Sequence, residues 1–116
     1  MVKQRLIDAL ENAGFVVYQS NAIPPEVPET YITFYVQDTY DVQYFDNKRV
    51  CTNWVFEVRY YDINPVRLEQ QKYNIRKVLK DANFVADGIG FDILVSNENN
   101  KLGWECDFDY MEYCED

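Results

Sequence analysis

The stretch VCTNWVFEVRYY, residues 50–61, decides how the rest of the chain is read. Counted with a period of two, Val50, Thr52, Trp54, Phe56, Val58 and Tyr60 share one face, and Cys51, Asn53, Val55, Glu57, Arg59 and Tyr61 share the other. Successive side chains of a strand point to opposite faces, so this is a strand with one apolar and one mixed face. β-Branched and aromatic residues dominate it, and neither Gly nor Pro interrupts it. At roughly 3.3 Å per residue it reaches close to 40 Å, long enough to be the spine of a sheet. Its apolar face needs a cover.

Working outward, Asp62–Asn64 ends the spine. Asn64 is a good N-cap and Pro65 suits a first helical position, so a helix is expected over 65–82. Leu68, Ile75, Val78, Leu79 and Ala82 form its apolar stripe, while Arg67, Lys72, Arg76, Lys77 and Lys80 fall largely off it and read as a solvated face. Asp87–Gly90 is expected to be a turn, Phe91–Ser96 a strand, Asn97–Lys101 a polar loop, and Leu102–Tyr113 the last strand. In that strand Leu102, Trp104, Cys106, Phe108 and Tyr110 share one face, and Glu105, Asp107 and Asp109 the other.

Upstream of the spine, Val2, Leu6, Ala9, Leu10 and Ala13 recur at helical spacing over residues 2–13, and Gly14 ends that helix. Phe15–Gln19 reads as a short strand. Ser20–Glu29 carries Pro24, Pro25 and Pro28, which lack a ladder N–H, so it is an extended loop. In Thr30–Asp38, Ile32, Phe34 and Val36 oppose Tyr31, Thr33 and Tyr35. Thr39–Phe45 continues it, and Asp46-Asn47-Lys48 is the expected turn of a long hairpin into the spine. The order α-β-β-β-α-β-β predicts one α+β domain over 1–116, in two layers. A mixed, mostly antiparallel sheet carries two helices on one face. If the strands flanking the second helix run parallel in one sheet, the crossover is right-handed.

The chain has 116 residues, with 11 basic and 20 acidic side chains and a net charge of −9. That balance argues against attraction to phosphate backbones or anionic membranes. No segment approaches the roughly 20 apolar residues of a membrane span. Lys3, Arg5, Asp8 and Glu11 interrupt any apolar core of a signal peptide, so folding in a cytoplasm is expected. Cys51, Cys106 and Cys114 are an odd number without a CxxC, which argues against a disulfide framework or a zinc site.

There is no histidine, hence no usual general base or triad. Ser20 and Ser96 lie outside any nucleophile elbow, and Gly88 and Gly90 form a GxG without the helix a phosphate loop needs. The row Glu105, Asp107, Asp109 is the best candidate for acid–base or metal chemistry. Residues two apart on one strand face lie about 6.6 Å apart, so a second strand would have to add ligands, and Asp92 is the candidate. Otherwise the row is a solvated acidic face, and like charges in line favour contact with water over burial. No cofactor is expected.

The layout resembles the tail-terminator, or tail-completion, proteins of long-tailed bacteriophages. The resemblance rests on the opening helix LIDALENAG, the step AIPPEVPETYITFYV, the strand WVFEVRYYD, the helix NPVRLEQQKYNIRKVLKDANF and the final pair FDILVSNENNKLGWECDFDYMEY. It implies a structural role without catalysis: a six-membered ring that caps the tail tube, ends its polymerisation and meets the head connector, with DNA passing through its bore. The implied partners are other copies of the chain, the tail tube protein and the connector proteins, and the implied location is the head–tail junction of the virion. A ring needs heterologous contacts. The hairpin residues Tyr40, Asp41, Tyr44, Phe45, Lys48 and Arg49 are the candidate interface, the Pro-rich loop Ile23–Glu29 a second protruding element, and Glu105, Asp107 and Asp109 a candidate phosphate-repelling bore lining. Another neck protein, such as a head–tail joining or stopper component, or an unrelated protein-binding α+β module, are the alternatives.

Overall fold

A computed structural model describes residues 1–43, 49–93 and 101–113. Two helices and five strands follow in the expected order. They are α1 (Val2–Asn12), β1 (Val17–Gln19), β2 (Tyr31–Gln43), β3 (Arg49–Asp62), α2 (Pro65–Asp81), β4 (Val85–Ile93) and β5 (Leu102–Tyr113). One mixed sheet has the spatial order β1-β2-β3-β5-β4. Only β1–β2 is a parallel neighbour pair; the other three pairs are antiparallel. The spine β3 lies at the centre, and β3 and β4, both antiparallel to β5, run in the same direction.

The second helix begins where the sequence supplies its cap. The Asn64 side-chain oxygen accepts from the backbone N–H groups of Val66 (3.0 Å) and Arg67 (3.1 Å), satisfying two donors the first turn leaves open. Leu6 and Leu10 of α1, with Leu68, Ile75 and Leu79 of α2, join Ile32, Phe34, Phe56, Val58, Tyr60, Trp104, Cys106 and Phe108 in a single buried cluster. Both helices therefore cover one face of the sheet, the face that the period-two reading made apolar.

Three local readings change. Trp54 is only partly buried: its ring stacks on Phe56 (centroids 6.2 Å) while Nε1 donates to Glu112 at 3.2 Å. Trp104, at 1% exposure, is the tryptophan that fills the core. Leu102, grouped with that row, is exposed at the start of its strand. Asp87–Gly90 is not a turn between elements but a kink inside β4, where the pairing with β5 jumps from Asp87↔Asp107 to Phe91↔Glu105. Gly88 and Gly90 take left-handed φ values of +79° and +78°. A Cβ on Gly90 would lie 2.5 Å from both the Glu105 carbonyl oxygen and Trp104 Nε1, so only glycine lets the strand pass over that indole. Trp104 Nε1 in turn donates to the Ile89 carbonyl at 3.2 Å.

Candidate functional site

Two surfaces remain once the helices have taken their face: the opposite face of the sheet and its two edges.

On the helix-free face the side chains alternate opposite the core. Register brings Tyr35, Glu57 and Asp107 side by side across three strands, with Thr33, Arg59 and Glu105 in the next row. Carboxylate oxygens of Glu57, Glu105 and Asp107 lie within 4.8 Å of one another. Arg59 Nε donates to Glu105 at 2.8 Å, and a second guanidinium nitrogen reaches Glu57 at 3.5 Å. Glu57 (7% exposed) and Glu105 (9%) are buried and Asp107 is partly so; Asp107 Oδ1 has no hydrogen-bond partner.

The row expected to border water is thus largely covered by its own neighbours. The physical reason is the central cation, Arg59, which lies against two of the carboxylates. Burial pushes the Glu105 carboxyl above its usual range, a hydrogen bond with Glu57 pushes it further, and Arg59 opposes both. Asp107 is also raised, by burial first and then by the charges of Glu57, Asp87 and Asp109. Arg59 stays charged: burial works against it, but bonds to Tyr61 and Glu105 outweigh that. The Tyr35 hydroxyl is held above its usual value, mainly by its bond to Glu57.

Glu57, Glu105 and Asp107 are a hard-oxygen donor set of the kind divalent cations use, and Arg59 already places a positive charge against two of the three. Asp92, the expected second-strand ligand, is not among them. It pairs with Trp104 in register, so it points to the helix side, where Lys72 Nζ holds it at 2.7 Å. The second-strand carboxylate comes from Glu57, which sequence reasoning placed on the mixed face without assigning it a role. The signal was present in the spine as Glu57-Val58-Arg59, two charged residues spaced to share that face.

Of the hairpin residues, Tyr44, Phe45 and Lys48 lie outside the described residues. Arg49 opens β3 opposite Gln43, and its side chain also lies outside them. Tyr40 is 48% exposed, yet its hydroxyl accepts from Asn53 Nδ2 at 2.9 Å, and the same amide reaches Asp109 Oδ2 at 3.3 Å. The sequence put Tyr40 and Asp109 in two separate sites; the register joins them through the buried Asn53. Asp41 is exposed and accepts from the Thr52 hydroxyl at 2.9 Å. The Pro-rich loop is tied down by Lys101, whose Nζ donates to the Pro28 carbonyl at 2.9 Å and sits over the Tyr31 ring at 4.4 Å.

The edges differ from each other. Among the described residues β4 pairs only with β5, and it exposes Val85 (67%), Ile89 (73%) and Phe91 (58%). At the other side β1 covers β2 only from Ile32 to Phe34; beyond that, among the described residues, no strand pairs the outer side of β2, and Gln37 to Asp41 are all exposed. The two openings adjoin at one level, where Asp38, Val55, Asp109 and Val85 are neighbours across β2, β3, β5 and β4; from there the open part of β2 runs toward Val42 and β4 runs the opposite way, toward Ile93.

Comparison with known proteins finds no protein family that matches the chain and no curated protein similar enough to count as a relative. Among the described residues no helix is long and apolar enough to cross a membrane.

Proposed function

We propose that the chain is a structural assembly protein whose copies pack head to tail into a closed ring, in the manner of the tail-terminator proteins it resembles. In this reading it caps a tail tube, stops its growth and joins it to the head connector. The observation that carries it is the sheet whose two edges, β4 on one side and the distal half of β2 on the other, are unlike and have no strand partner among the described residues. An unpaired strand edge is a ready template for another chain, and native monomers usually blunt it with charges, prolines or covering elements. Two unlike edges on opposite sides favour a heterologous contact, which closes into a ring when the rotation between copies allows it.

The helix-free face suits a DNA-conducting bore through its net charge. Asp38, Asp87 and Asp109 add to the partly neutralised trio around Arg59, and an acidic surface repels phosphates. The role requires no bond-making chemistry. Electron microscopy of the concentrated protein, alone and mixed with tail tubes of a long-tailed phage, tests it. Closed rings, or rings seated on tube ends, are expected. A protein that stays monomeric and ignores tube ends overturns the reading, and binding to head connectors but not to tubes points to a stopper role instead.

A further inference from the structure

Where α2 runs beside the outer edge of β4, the surface opens into a groove of about 680 Å³. Tyr73, Phe84 and Ala86 give it an apolar part, and Arg76, Lys77 and Lys80 line it together with one carboxylate, Asp81. Among the described residues none of these three cations has an ion-pair partner, and Arg76 Nε is buried without a hydrogen bond. In a chain of net charge −9, a groove lined by three cations against the single carboxylate of Asp81 is a local reversal of sign. It adjoins an unpaired strand edge that exposes large apolar side chains. Together these features fit an extended, acidic segment that adds to β4 as a further strand.

We propose that the segment is the distal half of β2, Gln37 to Val42, of a second copy of this chain. This rests on the ring reading and specifies its contact. The segment is extended and acidic, with Asp38 and Asp41, and among the described residues no strand lies along its outer side. Thr39 and Asp41 lie opposite Trp54 and Thr52, so they point to the helix side of the sheet, the side of the groove's cations. Asp38 and Tyr40 fall on the other face, the face of Val85. β2 runs antiparallel to β3, and β4 runs parallel to β3, so a sheet continued from copy to copy without inversion places β2 antiparallel to β4. From the shared level of Asp38 and Val85 the two segments run in opposite directions, so setting Val42 beside Val85 and Asp41 beside Ala86 displaces one copy by about four residues, roughly 13 Å, along the strands.

A cysteine trap tests the contact on the full chain, in a Cys114→Ser background. The remaining native thiols, Cys51 and Cys106, are both buried. Asp41→Cys and Lys80→Cys are made as separate proteins, mixed at high concentration and oxidised mildly. A disulfide-linked heterodimer that neither variant forms at comparable yield alone is the expected result. In parallel, Lys77→Glu with Lys80→Glu should raise the concentration needed for assembly by about tenfold or more, with unchanged circular dichroism. Adding Asp41→Lys to that chain should recover part of the loss. Assembly without the cross-link, and indifferent to the charge reversal, overturns this contact and leaves the ring reading standing. Loss of tube binding on charge reversal without any cross-link also overturns it, since the groove then holds a segment of another protein. A chain that is monomeric at every concentration and ignores tubes overturns the ring itself.

Discussion

Asp62 and Arg67 close a two-bonded clasp across the junction of β3 and α2: Arg67 Nε donates to Oδ2 and a terminal guanidinium nitrogen to Oδ1, each at 2.8 Å. The Asp62 carboxylate is fully buried and also accepts from the Tyr60 hydroxyl at 2.6 Å and the Asn64 backbone N–H at 2.9 Å. Burial alone would raise this carboxyl, but Arg67, Tyr60 and Asn64 outweigh it and hold it below the usual range. The spine's end and the helix's start are thereby fixed by one side chain. Replacing Asp62 by Ala leaves the buried Tyr60 hydroxyl, the Asn64 N–H and the Arg67 guanidinium without their acceptor. A loss of about 3 kcal/mol in urea unfolding is expected; a loss within about 0.5 kcal/mol would mean that the clasp contributes nothing net.

The acid row makes stability fall as pH rises through the weakly acidic range. Glu105 and Asp107 have folded pKa values above their unfolded values of 4.5 and 3.8, so the folded chain holds more protons than the unfolded one in that range. Their penalty is absent below the unfolded values and complete once pH exceeds the folded ones. Asp62 acts in the opposite sense: its contribution is present above 3.8 and is lost as pH falls through its lowered folded value. The melting temperature should therefore peak in mildly acidic solution and decline on both sides. Asp107→Asn should flatten the decline toward neutral pH while leaving the acid limb in place.

The two glycines of the β4 kink separate strain from clash. At Gly88 a Cβ meets nothing within 4 Å, so Gly88→Ala carries only the left-handed φ penalty of about 1–2 kcal/mol. At Gly90 the same φ is joined by contacts of 2.5 Å to the Glu105 carbonyl and the Trp104 indole. Gly90→Ala should be the more damaging by at least about 1 kcal/mol, with a blue or red shift in tryptophan emission as Trp104 moves. Equal losses would show that the strand can lift away from the indole freely.

The two tryptophans should differ in the same way. Trp104→Ala removes a fully buried ring and should cost about 3–5 kcal/mol. Trp54→Ala removes a half-covered ring that stacks on Phe56, and about 1–2 kcal/mol is expected. Thermal or denaturant unfolding of the two variants side by side reads the ranking directly.

What the chain's letters determined by themselves is the set of elements and the face each one buries. Alternation in the spine and in Leu102–Tyr113, the stripes of the two helices, and the Asn64-Pro65 start all report local geometry, because side-chain direction repeats every two residues in a strand and every 3.6 in a helix. The prolines of Ser20–Glu29 excluded a strand for an equally local reason. The sequence also made β2 and β3 neighbours in a hairpin, but only the tertiary structure decided the other neighbours and every register, and the functional surfaces follow from those. Register set Glu57 of β3 beside Glu105 and Asp107 of β5, turning an apparently solvated row into a buried cluster around Arg59. The same register sent Asp92 to the opposite face. The order β1-β2-β3-β5-β4 left two unlike edges open and set α2's unpaired cations beside one of them. Pairing between segments as distant as Val55 and Asp109 depends on which faces find a common core, a long-range balance of burial that no short stretch of sequence encodes.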